Sequence, residues 1–322
     1  MLVAEVEVQT GKFSDPAERL GTRLAAPISM LRDVTRIQSI IDTNKSASTR
    51  LAATQSALGA VSSSTQSLFD SLAAAKGNAQ TMVLAAQSAK SELSAIGSAL
   101  NTTVAGQHIF SGLNTDLEPV NFGNGIPARS EMDAAFLSHF GFAKTDPAAA
   151  SITASAFSAF VSSDVEPLFI GSGWASTLSN ASSEPIVSRI GLSQTVETSV
   201  TTNEAGVRQS LFAAALAANF LDTPLGLPAK EAVVDIALQQ SSASLGSLAE
   251  LQGRAGFAQR QVTEADLRLS AQSDLFSGLA DDLTSVDPHE AAVRLNALLT
   301  RLETSFALTQ RIQRLSILDY LP

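Results

Sequence analysis

The feature that most constrains this chain is a seam of residues repeating at alternating steps of four and three. Ile37, Ile41, Asn44, Ser48, Leu51, Gln55, Leu58, Ser62, Thr65, Phe69 and Leu72 all fall on it. That period places them along one side of a single long α-helix and is the spacing of a coiled-coil seam. A seam cannot stay bare on one helix, so other long helices must cover it. Several seam positions are small or polar. Such positions weaken the packing, but they fix register or leave room for neighbouring subunits.

Local signals set the limits of this first helical arm. Asp15-Pro16 reads as N-cap and first helical residue, and Pro27 marks another start. Gly77-Asn78 reads as a break. A second helix is expected from about Thr81, with Leu84, Leu93, Ile96, Leu100 and Val104 as its apolar face. From Ser111 to about Asn203 glycine and proline punctuate the chain. Helical patterns there are brief, at Glu131 to Phe140 and Ala148 to Val161. Ile186 to Thr202 alternates apolar and polar residues around Gly191, as a β-hairpin does.

Beyond Glu204 the pattern is helical again. Leu211 to Leu221 is one apolar piece, and Pro224, Gly226 and Pro228 interrupt it. A long helix is then expected from near Ala229 to about Leu283. Asp287-Pro288-His289-Glu290 has the cap, proline and acidic residue of a helix start. The last helix carries an apolar stripe of Leu295, Leu298, Leu302, Phe306, Ile312, Leu315, Leu318 and Leu321. This stripe is the candidate subunit-assembly face.

The expected fold is mainly α: an elongated antiparallel helical bundle or coiled-coil rod, formed by the N- and C-terminal arms, with a small inserted α+β domain. The expected divisions are 1–110 for the first arm, 111–203 for the insertion, 204–286 for the second arm and 287–322 for a terminal assembly helix.

Composition narrows the function classes. Aromatics are only 5% of the chain, so its apolar content rests on Ala and Leu, which suit close helix packing. The formal net charge is −10, which disfavours nucleic acid and anionic lipid as partners. No apolar run is long enough to span a membrane, and Met1 to Thr10 lacks the regions of a cleaved secretory signal. The absence of cysteine excludes disulfides, thiolate metal sites and cysteine nucleophiles.

No chemistry-bearing constellation emerges. His108, His139 and His289 have no metal-ligand spacing and read as surface or cap residues. Gly123 to Ala128 fits G-x-G-x-x-A by letter but lacks the flanking strand and helix of a dinucleotide site, so it reads as a turn. Gly171-Ser172-Gly173 reads as a loop and Trp174 as the core anchor of the insertion. Asp281-Asp282 reads as a solvated face. Arg294, Arg301, Arg311 and Arg314 read as surface or inter-subunit ion-pairing residues. No nucleophilic serine elbow occurs, no catalytic, cofactor-binding or metal residue can be named, and no cofactor is expected.

The two ends resemble a known family. Thr10-Gly11-Lys12 with Asp15-Pro16, the helix Asn44 to Leu58 (NKSASTRLAATQSAL) and the turn Ile109 to Pro119 (IFSGLNTDLEP) are similar to the N-terminal region of the bacterial flagellin-like family. Glu290 to Leu321 is similar to its terminal helix. The turn and the ending look more like the hook-associated, hook–filament junction members than like filament flagellins. The middle of the chain lies outside the resemblance.

The resemblance implies a structural, non-enzymatic flagellar subunit. Such a subunit is exported unfolded by the flagellar type III route without a cleaved signal peptide, and is therefore extracellular. Its implied partners are other copies of itself, the neighbouring hook-associated protein, flagellin and an export chaperone. Terminal helices of neighbouring subunits are expected to pack together, with the insertion facing outward. In this family another helical segment precedes the Thr-Gly motif. Only nine residues precede Thr10 here. That implies a truncated or misplaced start and impaired export or assembly. The segment beyond Asp287 is accordingly expected to be loosely held in an isolated chain, or packed on a second copy. The competing readings are a filament flagellin and a helical signalling rod; the latter would need a membrane span.

Overall fold

A computed structural model describes residues 2–123 and 125–314, and it is mainly α-helical. In chain order its elements are α1 (Leu2–Thr10), α2 (Pro16–Leu20), α3 (Ala25–Ala75), α4 (Ala79–Leu100), β1 (Thr103–Val104), β2 (Gln107–His108), α5 (Arg129–Phe140), α6 (Ala154–Phe160) and α7 (Glu166–Phe169). There follow β3 (Val187–Arg189), β4 (Thr195–Glu197), α8 (Ala205–Phe220), α9 (Leu227–Thr284) and α10 (Pro288–Arg314). The chain divides into two compact units, residues 42–266 and residues 1–41 with 267–322.

The larger unit is built on four helical stretches: α3 from residue 42 onward, α4, α8 and α9 as far as residue 266. The heptad seam of α3 is the inner face. Asn44, Leu51, Leu58, Thr65 and Leu72 are buried, while Ser48, Gln55, Ser62 and Phe69 are half-buried. α9 runs antiparallel to α3, as three pairings along its length show. Asn44 Nδ2 donates to Asp266 Oδ1 at 2.7 Å, Gln55 Nε2 donates to the Gln252 carbonyl at 2.7 Å, and Lys76 pairs with Asp235 at 2.6 Å. Asn44 also donates to the Ile190 carbonyl at 3.1 Å, so one amide ties both long helices to the β3–β4 hairpin.

Gly77 (φ +82°) breaks the chain between α3 and α4. Asn78 then caps α4, its Oδ1 accepting from the Gln80 N–H at 2.9 Å. The helix therefore starts two residues earlier than the sequence suggests. Its buried stripe is Met82, Ala85, Ala86, Ala89, Leu93, Ile96 and Leu100. Leu84, expected on that face, is instead 70% exposed. The small alanines set the stripe because α8 lies close against α4, and α8 is itself buried on nearly every side from Val207 to Phe220.

Close approach also governs α8 against α9. A Cβ placed on Gly206 would lie 2.9 Å from the Leu248 backbone nitrogen, and the Gly206 carbonyl accepts from Ser244 Oγ at 2.6 Å. Gly206→Val is expected to destabilise the unit by about 1–3 kcal/mol through overpacking against backbone. Chemical denaturation followed by circular dichroism would measure it.

The region after α4 packs as an irregular cap on these helices. β1 and β2 pair through a turn in which Ala105 and Gly106 both take positive φ. The single helix expected over Ala148 to Val161 is in fact a 3₁₀ turn at Pro147–Ser151, then α6, then a π-helical turn at Val161–Val165. Asp146 caps the first piece and Thr153 restarts the second, each accepting a backbone N–H.

Ile186 to Thr202 does form a hairpin, with Val187 opposite Glu197 and Arg189 opposite Thr195. Trp174 is buried, and its Nε1 donates to Asn203 Oδ1 at 2.6 Å. Arg208 lies 5.5 Å over its ring and donates to the Phe169 and Gly171 carbonyls.

The smaller unit contains α1, α2, α3 up to residue 41, α9 from residue 267 and α10. Ile37, Ile41 and Leu269 form a small buried cluster, with Ile40 and Phe276 packed on it.

Candidate assembly face

The Thr10-Gly11-Lys12 turn is stitched to the junction of α9 and α10. Gly11 has φ +66°, and its carbonyl accepts from the Val286 N–H at 2.9 Å. The Phe13 N–H donates to the Thr284 carbonyl at 3.0 Å, and Lys12 pairs with Asp281 at 2.5 Å. Asp281 is therefore an exposed ion-pair partner. Asp15 caps α2 by accepting from the Ala17 and Glu18 N–H groups, and Asp287 caps α10 by accepting from the His289 and Glu290 N–H groups. These caps and the stitch bring α1 alongside α10.

α1 packs against the first part of α10, with Ala4 and Glu7 turned inward and Ala291 buried beneath them. Glu7 is 3% exposed. Its Oε2 pairs with Arg294 at 3.1 Å, Arg294 also holds Glu290 at 2.7 Å, and the Ser14 N–H reaches Glu7 Oε1 at 3.4 Å. A buried carboxylate requires such a partner, because an unpaired charge there would cost several kcal/mol, on the order of 3–5. A groove of about 470 Å³ lies between these elements, lined by Val3, Ala4, Glu7, Asp15, Arg294 and Leu298 among others.

The lengths do not match. α1 has 9 residues and α10 has 27. At about 1.5 Å per residue the first covers roughly a third of the second. Leu295 and Leu298 are half-buried under α1, whereas every residue from Leu299 to Gln313 is exposed. Leu302, Phe306 (64% exposed) and Ile312 therefore stand on a bare helix, with Leu308 beside them. Leu315, Leu318 and Leu321 lie outside the described residues. The outer side of α1 is also apolar and exposed at Leu2, Val3, Val6 and Val8. Large apolar side chains thus stand exposed on two adjacent helices.

Sequence reasoning missed α1. The stretch LVAEVEV alternates apolar and acidic residues in steps of two, a strand-like pattern. It is helical because its small and acidic inner residues fit the face of α10 and Arg294. An intrachain partner for α10 was also missed, and Arg294 serves α1 rather than a neighbour.

The other candidates fall elsewhere. His139 Nδ1 lies 2.8 Å from Asp164, and His289 sits in the first turn of α10. The described part of Gly123 to Ala128 forms turns leading to α5, with Ala128 in the left-handed region. Among the described residues no group of His, Asp or Glu is placed to hold a metal, and no helix is long and apolar enough to cross a membrane.

Residues 1–115 match the family model for the bacterial flagellin N-terminal helical region, and residues 238–321 match that for the bacterial flagellin C-terminal helical region. Together the two matches cover well over half of the chain. A solved structure from Vibrio parahaemolyticus, described as a flagellar hook-associated protein, has a similar fold. Its TM-score is 0.55 at 17% identity, and the match covers 84% of this chain and 98% of that one. No curated protein matches the chain.

Proposed function

Because the chain belongs to the flagellin-like family, whose members are structural subunits of the bacterial flagellum, we propose that it is a hook–filament junction protein. The observation that carries this reading is the exposed apolar side of α10 beyond Leu298, a helix face of the kind that packs against a further helix. Leu295, Leu298, Leu302, Phe306 and Ile312, continued by Leu315, Leu318 and Leu321, form the assembly face on this reading. The exposed outer side of α1 belongs to the same surface.

The family self-associates into the flagellar polymer, an exported extracellular structure. The finer partners in this proposal are the neighbouring hook-associated protein on one side and flagellin on the other, with an export chaperone beforehand. The turn Ile109 to Pro119 and the ending TQRIQRLSIL favour the junction over the filament. The fold shared with a protein described as hook-associated agrees with that choice. In this arrangement the terminal segments face inward and the region 111–203 faces outward.

The test is a strain lacking the gene. Hooks without filaments, with filament subunit still secreted in normal amounts into the medium, is the expected result. Disappearance of the main secreted flagellin itself would identify a filament subunit instead.

A further inference from the structure

We propose that Lys144 and Asn219 join in an intramolecular isopeptide bond, with Asp133 as the group that moves the protons. The three residues come from separate elements of the larger unit: Asp133 from α5, Lys144 from the turn after it, and Asn219 from the end of α8.

Lys144 Nζ lies 2.5 Å from Asn219 Oδ1 and 2.7 Å from Asp133 Oδ1. It also reaches the Asn219 backbone carbonyl at 3.3 Å. Asn219 Nδ2 donates to Asp133 Oδ1 at 3.0 Å. The amide carbon of Asn219 is one carbonyl bond, about 1.2 Å, beyond Oδ1. Nζ is therefore within about 3.7 Å of it, close to the roughly 3–3.5 Å separation of a near-attack arrangement. One carboxylate thus touches both the nitrogen that would attack and the nitrogen that would leave.

The surroundings suit the reaction. Asn219 is buried, the Lys144 side chain is 11% exposed, and the Phe220 ring lies 5.6 Å from Nζ. Phe136 stacks on Phe220 and meets Phe140, Phe142 and Phe160. Burial disfavours the ammonium and lowers the Lys144 pKa from its ordinary value, although Asp133 acts in the opposite direction. A desolvated lysine amine is a nucleophile, whereas a hydrated ammonium is not.

The step balances within the chain. Asp133 takes a proton from Nζ, and the neutral amine attacks Cγ of Asn219 to give a tetrahedral adduct. Asp133 passes that proton to Nδ2, and a second Nζ proton follows by the same route. The Cγ–Nδ2 bond breaks, and the departing nitrogen leaves as ammonium. The products are one Nζ–Cγ amide, one ammonium ion and the original Asp133 carboxylate. No oxidant, metal or cofactor enters. The residues joined are 75 apart in sequence, so the bond forms only after folding has brought them together.

Mass spectrometry of the intact, folded full-length chain tests the proposal. The expected mass is lower than that of the sequence by one ammonia. Trypsin should then release a branched peptide containing Lys144 and Asn219. Lys144→Arg and Asn219→Ala should keep the full mass. Asp133→Asn should slow bond formation by about 10²–10⁴-fold, the range lost with a general acid–base group. Circular dichroism accompanies each variant. A wild-type chain that keeps its full mass after prolonged incubation overturns the proposal whatever the variants do. So does loss of ammonia without the branched peptide, which would mean cyclisation of an asparagine. An unchanged rate in folded Asp133→Asn removes Asp133 from the mechanism.

Discussion

A chain carrying Phe306→Glu and Ile312→Glu is expected to fold normally and to fail completely in assembly. Both side chains are exposed on the part of α10 that α1 leaves bare, so two carboxylates there meet only water in the isolated chain. The stability of the 42–266 unit should stay within about 0.5 kcal/mol of wild type, as for other surface changes. In a packed helical interface the same charges would be buried without partners, at several kcal/mol, on the order of 3–5 each. Complementation of a null strain should therefore restore no motility. Asn296→Glu, on an exposed part of the same helix outside the stripe, should restore it. Full motility in the double variant would place the assembly contacts elsewhere.

The largest expected loss of stability follows from Phe136→Ala. Phe136 is fully buried, with ring centroids of Phe140, Phe142, Phe160 and Phe220 between 4.7 and 6.2 Å away. Truncation removes its transfer free energy and leaves a cavity that four rigid rings cannot close, for about 3–5 kcal/mol. Equilibrium denaturation should show this as a lower midpoint with an unchanged slope. Because Phe220 adjoins Asn219, the variant should also disturb the Lys144 network. Leu84→Ala, also in this unit but at an exposed site, should change little.

The long helices were legible in the sequence because a heptad pattern repeats many times and each repeat confirms the last. Asn44 to Leu72 in α3 and the Asp287-Pro288 start of α10 are read from periodicity and cap chemistry alone. The hairpin around Gly191 was legible for the same reason, with a period of two.

What was not legible depended on single tertiary contacts. α1 is only 9 residues long, too short for a period to declare itself, and it is helical because of what lies beneath it. Leu84 was assigned to the core by residue type, yet the close approach of α8 gives that position to alanines. The partition of residues 147–165 into three kinds of helical turn rests on Asp146 and Thr153, whose side chains compete locally with the helix. On α10 the apolar stripe was visible, but the share of it that α1 covers was not.

Asn44 has a mechanical consequence. Apolar side chains along a seam hold two helices together, but they resist lengthwise slippage weakly, since a leucine shifted by one repeat meets another apolar residue. An amide that donates to Asp266 on one neighbour and to the Ile190 carbonyl on another loses both partners when the helices slide. Any slide strands a polar group in a dry layer. Shear along this pair of helices therefore meets a polar pin as well as an apolar seam.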